Sequence, residues 1–389
     1  MDRNEEDALE TEAAVVGGGL VGLATAHALA RAGLQVARIA PEPAPRPPGE
    51  ALDARVYALS PGNVAFLRSL GAWRRVRAER IAPVHAMRIY GDDGRACLAF
   101  DAWETGVEAL AWIAEEAEVA AALREDLAPP VAGACLEVQF GAEAARLRLD
   151  RGGSLCARLV VGADGARSRV REAAGIAFRE QPYGQAALVA NFECARPHRN
   201  VAYQWFRGDS VLALLPLPGD RVSMVWSLPE SEAARLAALE PQALCGEVRR
   251  ASGDALGELG ALAPPKCHRL RRARAARTVG PRVALAGDAA HVIHPLAGQG
   301  ANLGLQDARA LGEVLGAREP LRDPGDVRLL RRYERARAED VLAMDGLVHG
   351  LARLFAAQAA PIAALRNAGL ALLDRLSVVK NLLARRAMA

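Results

Sequence analysis

The sequence predicts an α/β domain built on a parallel sheet, interrupted by a second, antiparallel sheet and closed by C-terminal helices. Three observations predict it. A short apolar run at residues 13–16 leads into Gly17-Gly18-Gly19-Leu20-Val21-Gly22, then a helix pattern over 23–31 stopped by Gly33, then a second strand over 35–40 ended by Pro41. Residues 185–228 alternate apolar and polar across turns at Arg207-Gly208-Asp209 and Pro218-Gly219-Asp220, with no helix between them. From Asn302 onward the pattern is helical. The first of these is a Rossmann-like strand–turn–helix–strand unit, the context in which Gly-x-Gly-x-x-Gly points to dinucleotide binding.

Within the glycine turn, Gly17 permits the tight bend, Gly19 lets backbone approach a pyrophosphate and Gly22 allows close helix–strand packing, while the helix N-terminus offers N–H donors. The acid that binds ribose in such folds is expected at the end of the second strand, where Ala40 stands. The nearest carboxylate, Glu42, either reaches the ribose from the proline-rich loop 41–48 or is a solvated loop acid. Residues 65–73 read as a helix closed near Gly71, 131–161 as a small antiparallel meander and 283–286 as a buried strand. Two further motifs follow strands: Gly162-Ala163-Asp164-Gly165-Ala166-Arg167-Ser168, where Asp164 could simply cap its neighbours, and Gly287-Asp288-Ala289-Ala290-His291 with His294-Pro295-x-x-Gly298-Gln299-Gly300-Ala301-Asn302. The small residues of the last motif let a cofactor lie against backbone, and its helix N-terminus suits negative charge on an electron-rich ring.

Composition narrows the function. The 389 residues carry 49 basic and 46 acidic side chains, a net charge of +3, which argues against nucleic acid as the main partner. The six cysteines and seven histidines form no Cys-x-x-Cys or His-Glu-x-x-His, so a metal is not expected. The acidic N-terminus does not resemble a secretory signal, and no apolar run approaches the roughly 20 residues of a membrane span. A cytoplasmic chain with reduced thiols is the expectation.

These motifs resemble the single-component FAD-dependent aromatic hydroxylases, built like 4-hydroxybenzoate hydroxylase, and most closely the UbiH/UbiF/VisC/Coq6 group of ubiquinone-biosynthesis hydroxylases. The resemblance runs from Asp53-Ala54-Arg55 with Ala58-Leu59-Ser60, through Leu214-Leu215-Pro216-Leu217 and Val225-Trp226-Ser227, to residues 287–307 and Arg366-Asn367-x-Gly369-Leu370. It implies a glutathione-reductase-like FAD-binding domain in pieces (1–75, 96–180 and 270–335), an inserted substrate domain (76–95 and 181–269) and a C-terminal helical region (336–389). It implies that Gly17, Gly19 and Gly22 hold the ADP half of FAD, with Arg55 near the pyrophosphate or flavin. Asp164 and Gly165 would serve FAD and the nicotinamide donor, Asp288 would bond the ribityl chain, and Gly287 and Pro295 would belong to the cofactor site. Gly298, Gly300, Ala301 and Asn302 would face the pyrimidine edge of the flavin. Glu115-Glu116-Ala117 stands where this group often has Glu-Asn-Arg, so a cofactor contact is altered there.

The activity implied is ring hydroxylation of a polyprenylated phenol using bound FAD, transient NAD(P)H and O2. The absence of a Ser/His/Asp set is expected, because the cofactor carries the chemistry. The alternatives are a hydroxylase of a small soluble aromatic acid, or a non-catalytic scaffold subunit of a quinone-biosynthesis complex. His291 and His294 serve either acid–base chemistry or folding of the cofactor loop. Tyr203 and Trp205 share one strand face and Phe206 the other, so core and pocket roles divide among them. Five basic residues after 365 (366, 375, 380, 385, 386) either dock the chain peripherally on the inner face of the membrane or on partner subunits, or stay solvated.

Overall fold

The strand Leu9–Val16 becomes the centre of a parallel sheet because its last four residues are apolar and buried on both faces. It pairs in parallel with Ser154–Gly162 on one side and Val36–Ala40 on the other. Val279–Gly280 and Val283–Leu285 extend the sheet beyond the former, and Val131–Ala132 beyond the latter. The computed structural model describes residues 9–41, 52–53, 55–91, 97–294 and 299–356. The meander is present as Cys135–Phe140, Ala145–Leu149 and Ser154–Gly162, its third strand entering the parallel sheet.

The helix Leu20–Arg31 joins the first two parallel strands and is alanine-rich and almost wholly buried. Its small side chains let the helix Gln299–Gly316 approach closely. A Cβ on Gly312 would lie 2.7 Å from the Ala28 Cβ, and one on Gly304 would lie 2.4 Å from the Val21 Cγ2. The helix expected over 65–73 instead spans Pro61–Ser69. The side chain of Ser60 accepts from the Asn63 N–H, and Pro61 sits in the first turn, so the chain enters the helix earlier than its apolar pattern suggests.

The second sheet runs in the order His291–Val292, Lys266–Ala275, Phe178–Cys194, Arg221–Pro229, Ser210–Leu217, Val201–Arg207, Ala86–Tyr90, Cys97–Asp101. It is antiparallel except between Val201–Arg207 and Ala86–Tyr90, which pair in parallel, because these two strands meet from distant parts of the chain. The boundaries expected at 96 and 270 fall against this pairing, since Cys97–Asp101 and the whole of Lys266–Ala275 belong to it. One face buries Leu212, Leu214, Met224 and Trp226 against the helices Glu230–Ala237 and Pro241–Ala251. The opposite face fronts a cavity. A small third sheet, Val56–Leu59, Ala111–Glu115 and Ile81–Val84, closes one side.

The long helix Val327–Ala356 is tied to the second sheet by paired hydrogen bonds from Arg272 to Asp345, one of 2.9 Å. Among the described residues no helix is long and apolar enough to cross a membrane. The C-terminal basic residues and the Arg366-Asn367-x-Gly369-Leu370 motif lie outside the described residues. Gly312→Leu is expected to cost about 1–3 kcal/mol in chemical denaturation, whereas Gly316→Ala, whose new Cβ would meet its nearest atom at 3.6 Å, is expected to leave the midpoint nearly unchanged.

Candidate active site

Three glycine-bearing loops meet at the carboxyl ends of adjacent parallel strands. Ala163 N–H donates to the Val16 carbonyl at 2.8 Å, and Ala286 N–H to the Gly162 carbonyl at 3.0 Å. Gly17 has φ +136°, and a Cβ there would stand 2.1 Å from the Ala163 oxygen; a Cβ on Gly22 would stand 2.3 Å from the Gly17 oxygen. These two positions therefore pack backbone on backbone. Gly19 differs: a Cβ there would meet nothing within 4 Å, and the same holds for Gly300. The N-terminus of the helix Leu20–Arg31 has no side-chain cap and faces that open space.

The loops border a cavity of about 1080 Å³ that continues beneath the second sheet. Gly17, Gly19, Arg55, Asp164, Gly165, Asp288, Gly300 and Ala301 all line it. Asp288 faces this cavity, and burial pushes its carboxyl above the usual range against the pull of His291 and Arg55. Asp164 Oδ2 accepts from the Arg169 N–H at 2.8 Å and so caps the helix Arg169–Ala173, yet the residue also lines the cavity. Its Oδ1 is buried without a partner among the described residues. Asp164 thus caps a helix and borders the cavity at once.

Other residues depart from their expected places. Asn302 is turned away from the cavity: Nδ2 donates to the Ala58 carbonyl at 2.9 Å, and Oδ1 accepts from Ser60 N–H and Asn63 Nδ2, both at 3.0 Å. It staples the strand Val56–Leu59 to the start of the helix Gln299–Gly316. Gly22 and Gly287 are packing positions behind the cavity wall, the latter with φ +61°. Glu42, Pro295 and Gly298 lie outside the described residues. At the strand end where an acid is expected, Ala40 borders a second cavity of about 240 Å³ with Arg38, Arg124 and Gly18. Burial, with the charge of Arg124, pushes the Arg38 guanidinium below its ordinary value.

Neither histidine reaches the cavity. His291 Nε2 lies 2.8 Å from Asp307 Oδ2, which also accepts from the Gly287 N–H at 3.0 Å, while Arg337 Nε donates to Oδ1 at 2.8 Å. This buried trio holds the Gly287 turn. Burial works against charge on His291, but Asp307 beside it raises its affinity for the proton. His294 stacks edge-on against Tyr183 at 4.8 Å, and its Nε2 is 3.2 Å from Gln185 Oε1. Trp205 is sandwiched between Tyr90 and Tyr203, each centroid 5.6 Å away, and is core; Phe206 is buried, and Tyr203 also borders the cavity.

Sequence reasoning missed Tyr57 and Glu116 as cavity residues. Glu116 Oε2 lies 2.9 Å from Arg55 Nε, and burial pushes the Tyr57 hydroxyl far up its range. The doubled acid Glu115-Glu116 was the available signal. Glu115 itself is buried, accepting from Asp53 N–H at 2.6 Å and Arg80 at 3.0 Å.

The FAD binding domain family matches residues 10–344. The chain is 36% identical to ubiquinone hydroxylase UbiL of Rhodospirillum rubrum, over 96% of this chain and 88% of that one. It is 34% identical to 3-demethoxyubiquinol 3-hydroxylase of Escherichia coli, over 95% and 96%. The chain belongs to the UbiH/UbiF/Coq6 family of FAD-dependent hydroxylases. The fold is shared with p-nitrophenol 4-monooxygenase PnpA from Pseudomonas putida, at a TM-score of 0.78 and 21% identity over 98% and 99% of the two chains. Klebsiella pneumoniae HpxO, solved with FAD and uric acid, has the same fold at a TM-score of 0.75 and 18% identity over 97% of each chain.

The cavity of this hydroxylase fits FAD by its own geometry. The open space before Gly19 and Gly300 is a cradle that a side chain would fill, and uncapped N–H groups face it. Gly17→Ala is expected to destabilise the protein by about 1–3 kcal/mol in thermal melts, because the new Cβ strikes the Ala163 carbonyl. Gly19→Val should lower the flavin-free melting temperature only slightly, through a poorer helix N-cap, yet weaken FAD binding at least tenfold in a flavin-fluorescence titration.

Burial, reinforced by the charge of His349, pushes the His294 imidazole down to about 4 from an ordinary 6.5. The unfolded chain therefore takes up this proton first on acidification. Stability from this group is intact above pH 6.5 and falls by about 3 kcal/mol as the pH drops toward 4. The wild-type-minus-His294→Gln difference in melting temperature should decline across that window.

Proposed function

We propose that this enzyme hydroxylates the ring of a polyprenylated phenol on the way to ubiquinone. The observation that carries the reading is the cavity wall beyond the three loops. Met87, Ile89, Val189, Ala202, Ala213 and Val225 present an aliphatic surface of modest side chains, suited to an isoprenoid tail. The basic lining residues of the substrate sheet, Lys266, His268, Arg269 and Arg271, sit together on one strand, with Lys266, His268 and Arg269 exposed. A small aromatic acid would call for such a cation buried deep in the wall.

In this reading the uncapped N–H groups after Gly19 meet the FAD pyrophosphate, with Gly17 and Gly22 shaping the turn. Arg55 lies alongside, held by Glu116. Asp288 accepts hydrogen bonds from the ribityl hydroxyls, and the Gly300-Ala301 backbone meets the flavin edge. The Asp164-Gly165 turn serves FAD and the visiting NAD(P)H. Bound FAD supplies the redox and oxygen chemistry; the chain orients the ring and excludes water. The described residues of 9–75 and most of those of 102–180 and 276–335 would form the FAD-binding part, with the second sheet as the substrate part. A prenylated substrate resides in the bilayer, so peripheral contact with the inner face of the membrane, or with other quinone-biosynthesis subunits, would deliver it.

Purified holoenzyme given NAD(P)H, oxygen and a short-chain prenylphenol is expected to release hydroxylated product, and to give none with 4-hydroxybenzoate. The opposite preference would overturn the reading. Val225→Trp, which fills the aliphatic wall, should lower kcat/KM for the prenylphenol at least tenfold while flavin content stays at the wild-type level.

A further inference from the structure

Two polar side chains interrupt the aliphatic wall, Gln204 on Val201–Arg207, which is part-exposed, and Ser227, which is buried and has no hydrogen-bond partner among the described residues. Ser227 lines the cavity, is only 4% exposed, and makes no side-chain hydrogen bond among the described residues. It stands on the cavity face of Arg221–Pro229 two residues from Val225, directly opposite Ala187 on one neighbouring strand and Val211 on the other. All three of these neighbours line the cavity, and all are aliphatic. Ser223, earlier on the same face, is also partnerless, but it is sealed from the cavity at 0% exposure. Ser227 is thus a buried hydroxyl on the cavity wall with no protein partner among the described residues.

Its place along the sheet is informative. Two residues further on, Pro229 pairs with Gln185, whose Oε1 meets His294. His294 adjoins Ile293, which lines the cavity on the side where Gly300 and Ala301 open their helix. Ser227 therefore lies at the end of the sheet that abuts the cofactor loop, where the reacting ring must sit. A phenol entering an aliphatic pocket gives up its hydrogen bonds to water and is penalised unless a polar group replaces them. A serine hydroxyl can accept from a phenol or donate to a phenolate.

We propose that Ser227 Oγ binds the phenolic oxygen of the substrate and thereby selects which ring carbon faces the flavin. This rests on the phenol-hydroxylase reading above and adds the residue that recognises the phenol. Holoenzyme, Ser227→Ala and Ser227→Thr are compared with a short-chain prenylphenol, a soluble phenol, and each ring lacking its hydroxyl. Affinity is read from the flavin difference spectrum, and product position and product formed per NAD(P)H consumed are measured alongside. Flavin content and melting temperature check folding. Ser227→Ala is expected to weaken binding of the phenols roughly 5- to 10-fold, leave the hydroxyl-free rings unaffected, lower product per NAD(P)H and broaden the product position. Ser227→Thr, which keeps the hydroxyl, should restore the coupling. Equal binding, coupling and product position in Ser227→Ala would overturn the proposal. If the wild type takes only the soluble phenol, the prenyl reading fails, while the same comparison on that phenol still decides the role of Ser227.

Discussion

The structure depends on a place where three backbones touch with no side chain between them. Gly17 lies against the Ala163 carbonyl, Gly22 against the Gly17 carbonyl, and Gly304 brings its helix within 3.3 Å, measured from an added Cβ, of the Gly287 Cα. Because these contacts admit no Cβ, the ends of three parallel strands and the starts of two helices converge on one point. Convergence leaves polar backbone groups facing a common space, which is what a phosphate-bearing cofactor requires. The alanine-rich face of Leu20–Arg31 extends the same constraint over the length of that helix.

Around this point, charge is sorted by depth. Behind the cavity wall, Asp307 takes bonds from His291, Arg337 and the Gly287 N–H, so a buried carboxylate is surrounded by donors and fixes the turn that presents Asp288. On the wall, Arg55, Glu116, Asp164 and Asp288 remain open to the cavity. Farther out the second sheet is two-sided: large side chains such as Trp226 and Leu214 pack on helices, whereas Met87, Ile89, Ala202, Ala213 and Val225 line the cavity. The period-two alternation of each strand makes this division unavoidable once one face is covered.

Much of this was legible in the residues. The glycine spacing, the Gly-Asp turn and the alternating strands identified the parallel sheet, the inserted sheet and a site shared by distant loops. Less legible were features set by contacts between remote segments. Asn302 sits in a cofactor-like motif, yet its amide is engaged by Ser60, Asn63 and Ala58 from a strand and helix some 240 residues earlier. Cys97–Asp101 and Lys266–Ala275 joined the second sheet because strand partners are chosen by tertiary packing rather than by their own patterns.

By itself the sequence determined where backbone had to come close, because only glycine and alanine tolerate such contact and their spacing is written in the chain. It likewise determined the periods of helix and strand, and hence which faces would be apolar. Only the tertiary structure decided which polar groups those faces left without partners. Ser227 reads as one more small residue in an alternating strand. It becomes a lone hydroxyl in an aliphatic wall when Ala187 and Val211, 40 and 16 residues away in sequence, are laid beside it. Whether a hydrogen-bonding group is satisfied depends on what surrounds it in space, and local sequence does not carry that information.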